Sequence, residues 1–341
     1  MSLKFSRVSY FLIMITLLFS CGGSSSGEAS DQNEIPQNEF ASVVEEHGKL
    51  KVSGNKIIDK NGNAIQLRGM SLFWSQWIGK YYNRETVKWL KDDWKCTVVR
   101  AAMAVDQGGY LSNPEQEKAK VIAVVDAAIA EGLYVIIDWH DHHGEDHVEE
   151  AKTFFSEMAQ KYGSYPNVIF ETYNEPLDVS WENVLKPYHE AVISEIRKHA
   201  PDNLIICGTR NWSQNVDDVI NNTIDDENVA YTLHYYAATH NESLRNIALS
   251  ALNNNIALFV TEYGTTEASG DGSIDANESK RWWDFLDQHK ISSCNWSIAD
   301  KEELAAALIP NASSTGNWSE DKLTTSGKLV RQEIRNKNKE Y

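Results

Sequence analysis

The sequence is poor in cysteine and has no framework for disulfide bonds. Of its four cysteines, Cys21 belongs to the N-terminal leader, while Cys96, Cys207 and Cys294 each lie in an apolar, β-branched run. An odd number of thiols in the folded part gives no complete set of pairs, so we predict buried free cysteines. None of them ends a strand beside a histidine, which argues against a catalytic thiol.

Basic residues are also scarce. The 32 lysines and arginines stand against 49 acidic residues, which gives a formal net charge of −17. Such a surface repels nucleic-acid phosphates and anionic lipid headgroups, so we predict no nucleic-acid partner and a neutral substrate. The 11 tryptophans and 14 tyrosines serve either as core packing or as flat faces for sugar rings, and composition alone does not separate these uses.

The beginning of the chain has the pattern of an export signal. A short basic region precedes the apolar run Tyr10–Phe19, which is too short to span a bilayer as a helix. The segment Leu18–Gly22 resembles a bacterial lipobox, which implies lipidation of Cys21 and an outer-membrane lipid as partner. Because Gly22 rather than Asp follows the cysteine, the resemblance implies an outer-membrane or cell-surface location. An ordinary signal peptide with a chance cysteine is the alternative.

We therefore divide the chain into a leader (residues 1–21), a flexible linker (22–39) and one folded domain (40–341). The linker is rich in Gly, Ser, Asn and acidic residues and has too few apolar residues to fold. The remaining length of roughly 300 residues suits a single large α/β domain. We expect a monomer.

Within the folded part, short apolar runs alternate with amphipathic stretches. Two short runs around Gly54-Asn55 predict a small β-hairpin cap. Barrel-type strands are predicted at Ile65–Ser71, Thr97–Met103, Tyr134–His140, Val168–Glu175, Leu204–Thr209, Val229–Tyr236, Ala257–Gly264 and Ser292–Ala299. The clearest helices are predicted at Pro114–Glu131, Val148–Tyr162, Trp181–His199, Asn277–Gln288 and Ser326–Lys339.

This alternation predicts a (β/α)8 barrel of the α/β class. The strands are almost continuously apolar, as is typical of parallel strands that are covered on both faces. The alternative is a doubly wound sheet with a glycine-rich phosphate loop after its first strand. The sequence has Arg68-Gly69-Met70-Ser71 at that point, which does not fit such a loop.

Several of the apolar runs carry polar or aromatic residues towards their C-terminal ends, where barrel active sites form. Unused polar groups there are costly, and the set consists of Arg100, His140, Asn174, Glu175, His234, Tyr236, Glu262 and Trp296. Glu175 and Glu262 are on the fourth and seventh strands, which we expect to face each other across the barrel. Such a pair suits glycoside hydrolysis, in which one carboxyl protonates the leaving oxygen and the other attacks the sugar or activates water. A carboxyl separation of ~5–5.5 Å predicts retention of configuration, and ~6.5–9.5 Å predicts inversion.

The chain resembles the glycoside hydrolase family 5 cellulases over almost all of its folded region. The matching segments, in order, are Gln66–Ser71, Val99–Arg100, Asp138–His140, Tyr173–Pro176, His234–Tyr236, Val260–Gly264 and Asn295–Lys301. The resemblance implies a retaining endo-β-1,4-glucanase that hydrolyses internal bonds of cellulose-type β-glucans through a covalent glycosyl-enzyme intermediate, without a cofactor or a metal.

The resemblance also implies roles for single residues. Glu175 would be the acid/base and Glu262 the nucleophile, supported by Arg100, His140, Asn174, His234 and Tyr236. Trp77, Trp296, Lys301 and Glu303 would bind the substrate. The alternative interpretations are structural: a core ion pair for Arg100, satisfied core histidines, packing for the two tryptophans, and solvated loop charges for Lys301 and Glu303.

Other residues near these motifs are interpreted differently. Glu171 shares the phase of Glu175 about 13 Å deeper in the barrel, so we interpret it as a paired structural carboxylate. Phe73 and Ala104 stand where many relatives carry a His and a Tyr, so the resemblance does not determine how the sugar beside the scissile bond is held. The loop with His142, His143 and His147 matches no standard zinc spacing and is predicted to line the cleft.

Two alternatives to a cellulase remain. The same chemistry suits mannan, xyloglucan or mixed-linkage β-glucan, and a surface lipoprotein that binds glycans without cleaving them is the non-enzymatic alternative. The pair Glu175 and Glu262 argues against the second, because a binding protein needs neither carboxylate.

Overall fold

The structure is a computed structural model that describes residues 42–338. The predicted leader, the linker and the lipidation site Cys21 lie outside the described residues. The strands are β1 (Lys51–Ser53), β2 (Lys56–Ile58), β3 (Arg68–Leu72), β4 (Val98–Ala104), β5 (Tyr134–His140), β6 (Val168–Glu171), β7 (Ile205–Cys207), β8 (Val229–Tyr236), β9 (Leu258–Gly264) and β10 (Ser293–Ile298).

Strands β3 to β10 form one closed barrel in the order β10-β3-β4-β5-β6-β7-β8-β9. All of its neighbouring strands are parallel. Every residue of β4, β5 and β9 is buried, because side chains fill the interior on one face and helices cover the other. The predicted (β/α)8 barrel is confirmed.

Helices connect the strands around the outside of the barrel. They span Val43–His47, Arg84–Asp92, Pro114–Glu131, Val148–Tyr162, Lys186–Arg197, Glu242–Asn253, Ala276–His289 and Thr325–Lys337. A π-helical turn lies at Trp181–Leu185, short 3₁₀ turns lie at Gly79–Tyr81, Gly144–Asp146 and Glu320–Lys322, and an irregular turn lies at Arg210–Ser213. Pro114 begins the longest of these helices and Gly132, with φ 69°, ends it, which are the positions that these two residues favour. No helix among residues 42–338 is both long and apolar enough to cross a membrane.

The predicted hairpin is present and closes the barrel at the end opposite its mouth. Strands β1 and β2 pair antiparallel. The backbone N–H of Val52 donates to Asn228 Oδ1 at 2.8 Å, and Asn55 Nδ2 donates to the carbonyl of Leu252 at 2.9 Å. Asn228 immediately precedes β8, so the hairpin lies at the N-terminal ends of the strands, away from the site described below.

The fourth barrel strand is shorter than predicted, and this changes how the site is built. Its ladder with β7 pairs Phe170 with Ile205 and Glu171 with Ile206, and β6 ends at Glu171 rather than at Glu175. The backbone N–H of Glu175 instead donates to the carbonyl of Asp141 at 3.2 Å. Residues 172–175 therefore lie beyond the end of β6, although the N–H groups of Thr172 and Asn174 still donate to the carbonyls of Ile206 and Trp139 at 3.0 and 3.1 Å.

Candidate active site

Arg100 is the centre of a buried charge cluster beneath the barrel mouth. We expected it at the end of its strand, but it is the third residue of β4 and is 0% exposed. Its guanidinium lies 2.7 Å from Glu171 Oε2, 3.0 Å from Asp138 Oδ2 and 3.1 Å from Glu262 Oε2. A charge without solvent needs such partners, and these carboxylates raise the pKa of Arg100 well above its usual value although burial alone would lower it.

Glu171 is the structural carboxylate that the sequence predicted, yet it lies closer to the reactive groups than its backbone position suggests. It holds Arg100 with both oxygens, and its Oε1 accepts from Thr261 Oγ1 at 2.6 Å. The same oxygen lies 4.0 Å from His234 Nε2. Only the His234 ring separates Glu171 from the carboxyl of Glu175.

Glu175 and Glu262 meet above this cluster. One oxygen of each carboxyl and one ring nitrogen of His234 all lie within 4.8 Å of one another. Their strands are three places apart in the barrel rather than directly opposite as we expected, so side-chain reach closes the gap. The separation suits the ~5–5.5 Å spacing of a retaining pair.

The two carboxyls have different partners. Glu262 Oε2 accepts from Arg100 Nη1 at 3.1 Å, and Glu262 Oε1 accepts from the hydroxyl of Tyr236 at 2.7 Å. Both partners are donors, so they stabilise the ionised form of Glu262. Glu175 Oε1 instead contacts His234 Nδ1 at 2.8 Å.

The hydrogen-bond chain decides which nitrogen of His234 carries the proton. Thr261 Oγ1 donates to Glu171 and therefore accepts from His234 Nε2, which lies 2.9 Å away. Burial lowers the pKa of His234 to about 4, so its ring is neutral and Nδ1 has a free lone pair. The close contact between Nδ1 and Glu175 Oε1 then requires a protonated Glu175, which donates to the ring.

The pKa values agree with this assignment. Burial raises the pKa of Glu175 to about 7, although the charges of His142 and Arg100 oppose the rise. Burial and the charge of Glu175 also raise the pKa of Glu262, but His234, Arg100 and the Tyr236 hydroxyl oppose that rise. When the pair holds a single proton, that proton resides on Glu175.

The side-chain amide of Asn174 has a hydrogen-bonded oxygen and an unbonded nitrogen. Its Oδ1 accepts from Arg100 Nη2 at 2.6 Å, which leaves Nδ2 as the free end of the side chain. Nδ2 is buried and has no hydrogen-bond partner among the described residues. A buried donor without a partner beside the two carboxyls suits a ligand oxygen.

An aromatic wall borders the site on one side. The His140 ring stacks on Trp296 with centroids 5.1 Å apart and planes at 9°, and its Nδ1 lies 2.7 Å from Asp138 Oδ2. Trp74, which the sequence analysis did not single out, packs edge-on against His140 at 4.1 Å. Trp77 lies next to Trp74 at 5.3 Å and is 53% exposed, so its face is free for a ligand.

The two departures from the family pattern are apolar here. Phe73 packs against Trp296 at 5.1 Å, and the ammonium of Lys301 lies 5.0 Å above the Phe73 ring. Lys301 also forms an ion pair with Glu303. Ala104 is fully buried at the end of β4. Neither Phe73 nor Ala104 therefore offers a polar side chain to a sugar.

A cleft of about 580 Å³ opens on the other side of the pair. It is lined by Glu175, Asn211, Trp212, Gln214, His234, Tyr236, His240, Glu262 and Ala268. Trp212 is 45% exposed. It follows β7, and Trp77 follows β3, which lies opposite β7 in the barrel. The two exposed tryptophans thus flank the carboxyl pair from opposite sides.

Sequence reasoning missed Trp212 because its position depends on local backbone geometry. Asn211, Trp212 and Ser213 all have left-handed φ angles, of 61°, 58° and 55°, a conformation that costs free energy for non-glycine residues and is found mainly at functional sites. A tryptophan directly after a short strand was the only available signal in the sequence.

Among the described residues, the one group of carboxylates and histidines with metal-like spacing is Glu175, His234 and Glu262. The guanidinium of Arg100, 3.1 Å from Glu262, repels a cation there. In the loop at residues 141–147, the ring of His142 contacts the carbonyl of Glu175 and the ring of His147 contacts Asp141.

Comparisons with known proteins agree with this geometry. The family described as "Cellulase (glycosyl hydrolase family 5)" matches residues 58–302. Endoglucanase Z of Dickeya dadantii is 52% identical over 304 residues, covering 88% of this chain and 68% of the relative. An endoglucanase of Clostridium saccharobutylicum is 42% identical over 330 residues, covering 96% and 71%.

Solved structures show the same fold. A structure from Cytophaga hutchinsonii has a TM-score of 0.87 and 56% identity, and the match covers 87% of this chain and 98% of that chain. The catalytic domain of endoglucanase Cel5A from Thermobifida fusca has a TM-score of 0.83 and 36% identity, with 86% and 99% covered. A variant of that domain in complex with cellotetraose has a TM-score of 0.82.

Proposed function

The chain belongs to glycosyl hydrolase family 5, the cellulase family, and on that premise we propose that Glu262 and Glu175 make it a retaining endo-β-1,4-glucanase. One observation carries the assignment of roles: the two carboxyls lie within 4.8 Å in unequal surroundings. Glu262 accepts two hydrogen bonds that favour its charge, whereas Glu175 holds a proton to about pH 7.

The first chemical step uses both carboxyls in these states. Glu262 attacks the anomeric carbon, and Glu175 transfers its proton to the glycosidic oxygen as the bond to the leaving sugar breaks. Arg100 and Tyr236 hold the Glu262 carboxylate so that one lone pair faces the sugar. Asn174 Nδ2 is placed to donate to a sugar hydroxyl beside the pair, a contact that strengthens as the transition state forms.

The second step reverses the role of Glu175. Having lost its proton, it takes one from a water molecule, which attacks the anomeric carbon and releases Glu262 as a carboxylate. A group with a pKa near the working pH is suited to both tasks. His234, which contacts Thr261 through Nε2 and Glu175 through Nδ1, fixes the position of the Glu175 carboxyl for the first step.

The substrate is a β-glucan chain that runs across the mouth between the two exposed tryptophans. Trp77 and Trp296 with Lys301 and Glu303 bind it on one side of the cleavage point, and Trp212 stacks on it on the other. Flat aromatic faces suit the apolar faces of sugar rings, and the open cleft admits an internal segment of a chain. Endoglucanase relatives and a cellotetraose-bound neighbour support this assignment.

A substrate panel with a stereochemical readout tests the proposal. Reducing-sugar release should be greatest on carboxymethyl cellulose or barley glucan and smaller on mannan and xylan. Proton NMR of freshly cleaved cellotetraose should show the β-anomer first. A faster reaction on mannan would reassign the substrate, and α-anomer formed first would overturn the retaining mechanism.

We also propose that the enzyme is a monomer anchored to the outer membrane or cell surface through lipid on Cys21. The lipobox-like sequence before Gly22 and the polar linker support this, since the linker would hold the domain away from the lipid. A Cys21→Ser variant should move activity from the membrane fraction to the soluble fraction. Incorporation of labelled palmitate that persists in this variant would contradict the anchor.

A further inference from the structure

The loop that follows β5, residues 141–147, is closed on itself by a buried carboxylate; we call it the histidine loop. Asp141 Oδ1 accepts from the backbone N–H groups of His142 and His143 at 2.8 and 3.0 Å. Asp141 Oδ2 lies 2.8 Å from His147 Nδ1. The histidines and carboxylate that looked like metal ligands in sequence therefore stabilise one loop conformation.

This loop holds the backbone of Glu175 at both of its polar groups. The N–H of Glu175 donates to the carbonyl of Asp141 at 3.2 Å, and the carbonyl of Glu175 lies 3.2 Å from His142 Nδ1, which donates to it. Two successive loop residues thus satisfy the groups that strand pairing satisfies elsewhere in the barrel.

The loop also packs against the residues that lead to Glu175. The hydroxyl of Tyr173 donates to Glu145. A Cβ atom at Gly144 would lie 3.0 Å from the Tyr173 ring, so a larger residue there would push the ring outward by a few tenths of an ångström. Beyond the end of β6 at Glu171, these contacts add to the backbone bonds from Thr172 to β7 and from Asn174 to β5 in supporting the acid/base residue.

We propose that the histidine loop is a clamp for the acid/base segment and that His142 is the positioning residue of Glu175. The proposal rests on the proposed function, in which Glu175 is the acid/base. The His142 ring lies between Trp74, at 5.6 Å between centroids, and the Glu175 carboxyl, whose Oε2 is 3.7 Å from Nδ1. The His142 ring is thus in place to set both the orientation and the protonation state of the Glu175 carboxyl.

Charges reach Glu175 from every element around it. His142 and Arg100 lower the pKa of Glu175, and Glu171 raises it. His234 contacts the Glu175 carboxyl directly. The charge of Glu175 in turn raises the pKa values of Asp138, Tyr236 and Glu262. His142 is the member of this set that lies on the loop and outside the buried cluster. Its removal therefore takes away a lowering contribution, and the pKa of Glu175 should rise.

The test compares His142→Ala with His143→Ala on two substrates. His143 is exposed, so it is a matched control of the same residue type on the same loop. On cellotetraose, kcat/KM of His142→Ala should fall by about 10- to 100-fold, since misplacing a catalytic group by about 1 Å has that effect. On a dinitrophenyl β-cellobioside, whose leaving group needs no proton, kcat/KM should stay within about twofold.

A third variant separates the hydrogen bond from the charge. The side-chain amide of His142→Asn can donate to the Glu175 carbonyl without carrying a charge, so it should restore most of kcat/KM on cellotetraose. In both variants the alkaline limb of the pH profile should move upward, by about half a pH unit or more, because the lowering effect of the imidazole is lost.

Equal losses on both substrates, or equal losses in the His143→Ala control, would overturn the proposal. A Glu175→Gln variant distinguishes this failure from failure of the proposed function. It should lose activity on cellotetraose and still release dinitrophenol in a burst. If Glu175→Gln hydrolyses cellotetraose normally, the acid/base assignment is wrong; if it behaves as expected while His142→Ala resembles wild type, only the clamp is wrong.

Discussion

The two glutamates of the site are held by different kinds of structure. Glu262 is the fifth residue of β9, a seven-residue strand paired on both sides, and its carboxyl rests on the buried guanidinium of Arg100. Glu175 lies four residues beyond the end of β6 and is held by the histidine loop. The Glu262 side chain thus projects from a strand of the barrel, whereas the Glu175 side chain projects from a segment beyond the end of its strand.

This difference corresponds to what each residue must do. The nucleophile forms and breaks one covalent bond at a fixed point, so a strand with a buried cation suits it. The acid/base must release a proton and later recover one, so its pKa has to lie near the working pH. The position of Glu175 beyond the end of its strand, with a side chain that is only 14% exposed, permits such tuning without disturbing the ion pairs of the core.

The largest effect is expected at the strand-held residue. Glu262→Ala removes the nucleophile, so kcat on cellotetraose should fall by at least about 10⁴-fold. Binding of cellotetraose, measured by titration calorimetry, should remain, because the aromatic wall and Trp212 are unchanged. Near-normal turnover in a variant whose thermal unfolding is unaltered would remove Glu262 from the mechanism.

The support beneath that residue can be broken separately. Arg100→Met leaves Asp138, Glu171 and Glu262 without their cation in a site that excludes water, so the free energy of unfolding should fall by about 3–5 kcal/mol. Arg331→Met is the matched control: Arg331 binds Asp93 with two hydrogen bonds near the surface, and its loss should cost about 1 kcal/mol or less. Similar urea midpoints for the two variants would mean that the cluster does not stabilise the fold.

The smallest effect is a pH shift that sharpens the contrast between the two carboxyls. Because burial raises the pKa of Glu175 to about 7, its acid form is present below that pH and is lost as the pH rises through it. The alkaline limb of kcat/KM on cellotetraose should therefore lie near pH 7. The limb should disappear with dinitrophenyl β-cellobioside, and an identical limb on both substrates would assign it to another group.

The strands were predictable where a continuous apolar run ends in a polar residue. The predicted bounds of β5, Tyr134–His140, and β8, Val229–Tyr236, match the structure. The helix Pro114–Glu131 was equally clear, because a proline and a glycine mark its ends. The helices Arg84–Asp92 and Glu242–Asn253 were not singled out. The first is amphipathic but has only nine residues, so its pattern covers too few turns to stand out in the sequence.

The loops were the part that could not be predicted. Trp74, Trp212 and His142 each follow a barrel strand, but no local pattern indicates which other residues they meet. The strands that they follow, β3, β7 and β5, are far apart in sequence, and the ends of these strands are brought together only when the barrel closes. The same holds for Glu175, whose predicted strand position was wrong because its backbone partners lie in another loop.

By itself, the sequence determined the alternation that closes into a barrel and the identity of the two carboxyl residues, because apolar periodicity and short motifs are local properties. The family resemblance predicted that Glu175 carries the proton, but only the tertiary structure supplies the physical reason. The location of the proton depends on burial, on Arg100 reaching Glu262 and on a neutral His234 facing Glu175, and electrostatic interactions between residues far apart in sequence exist only once the chain is folded.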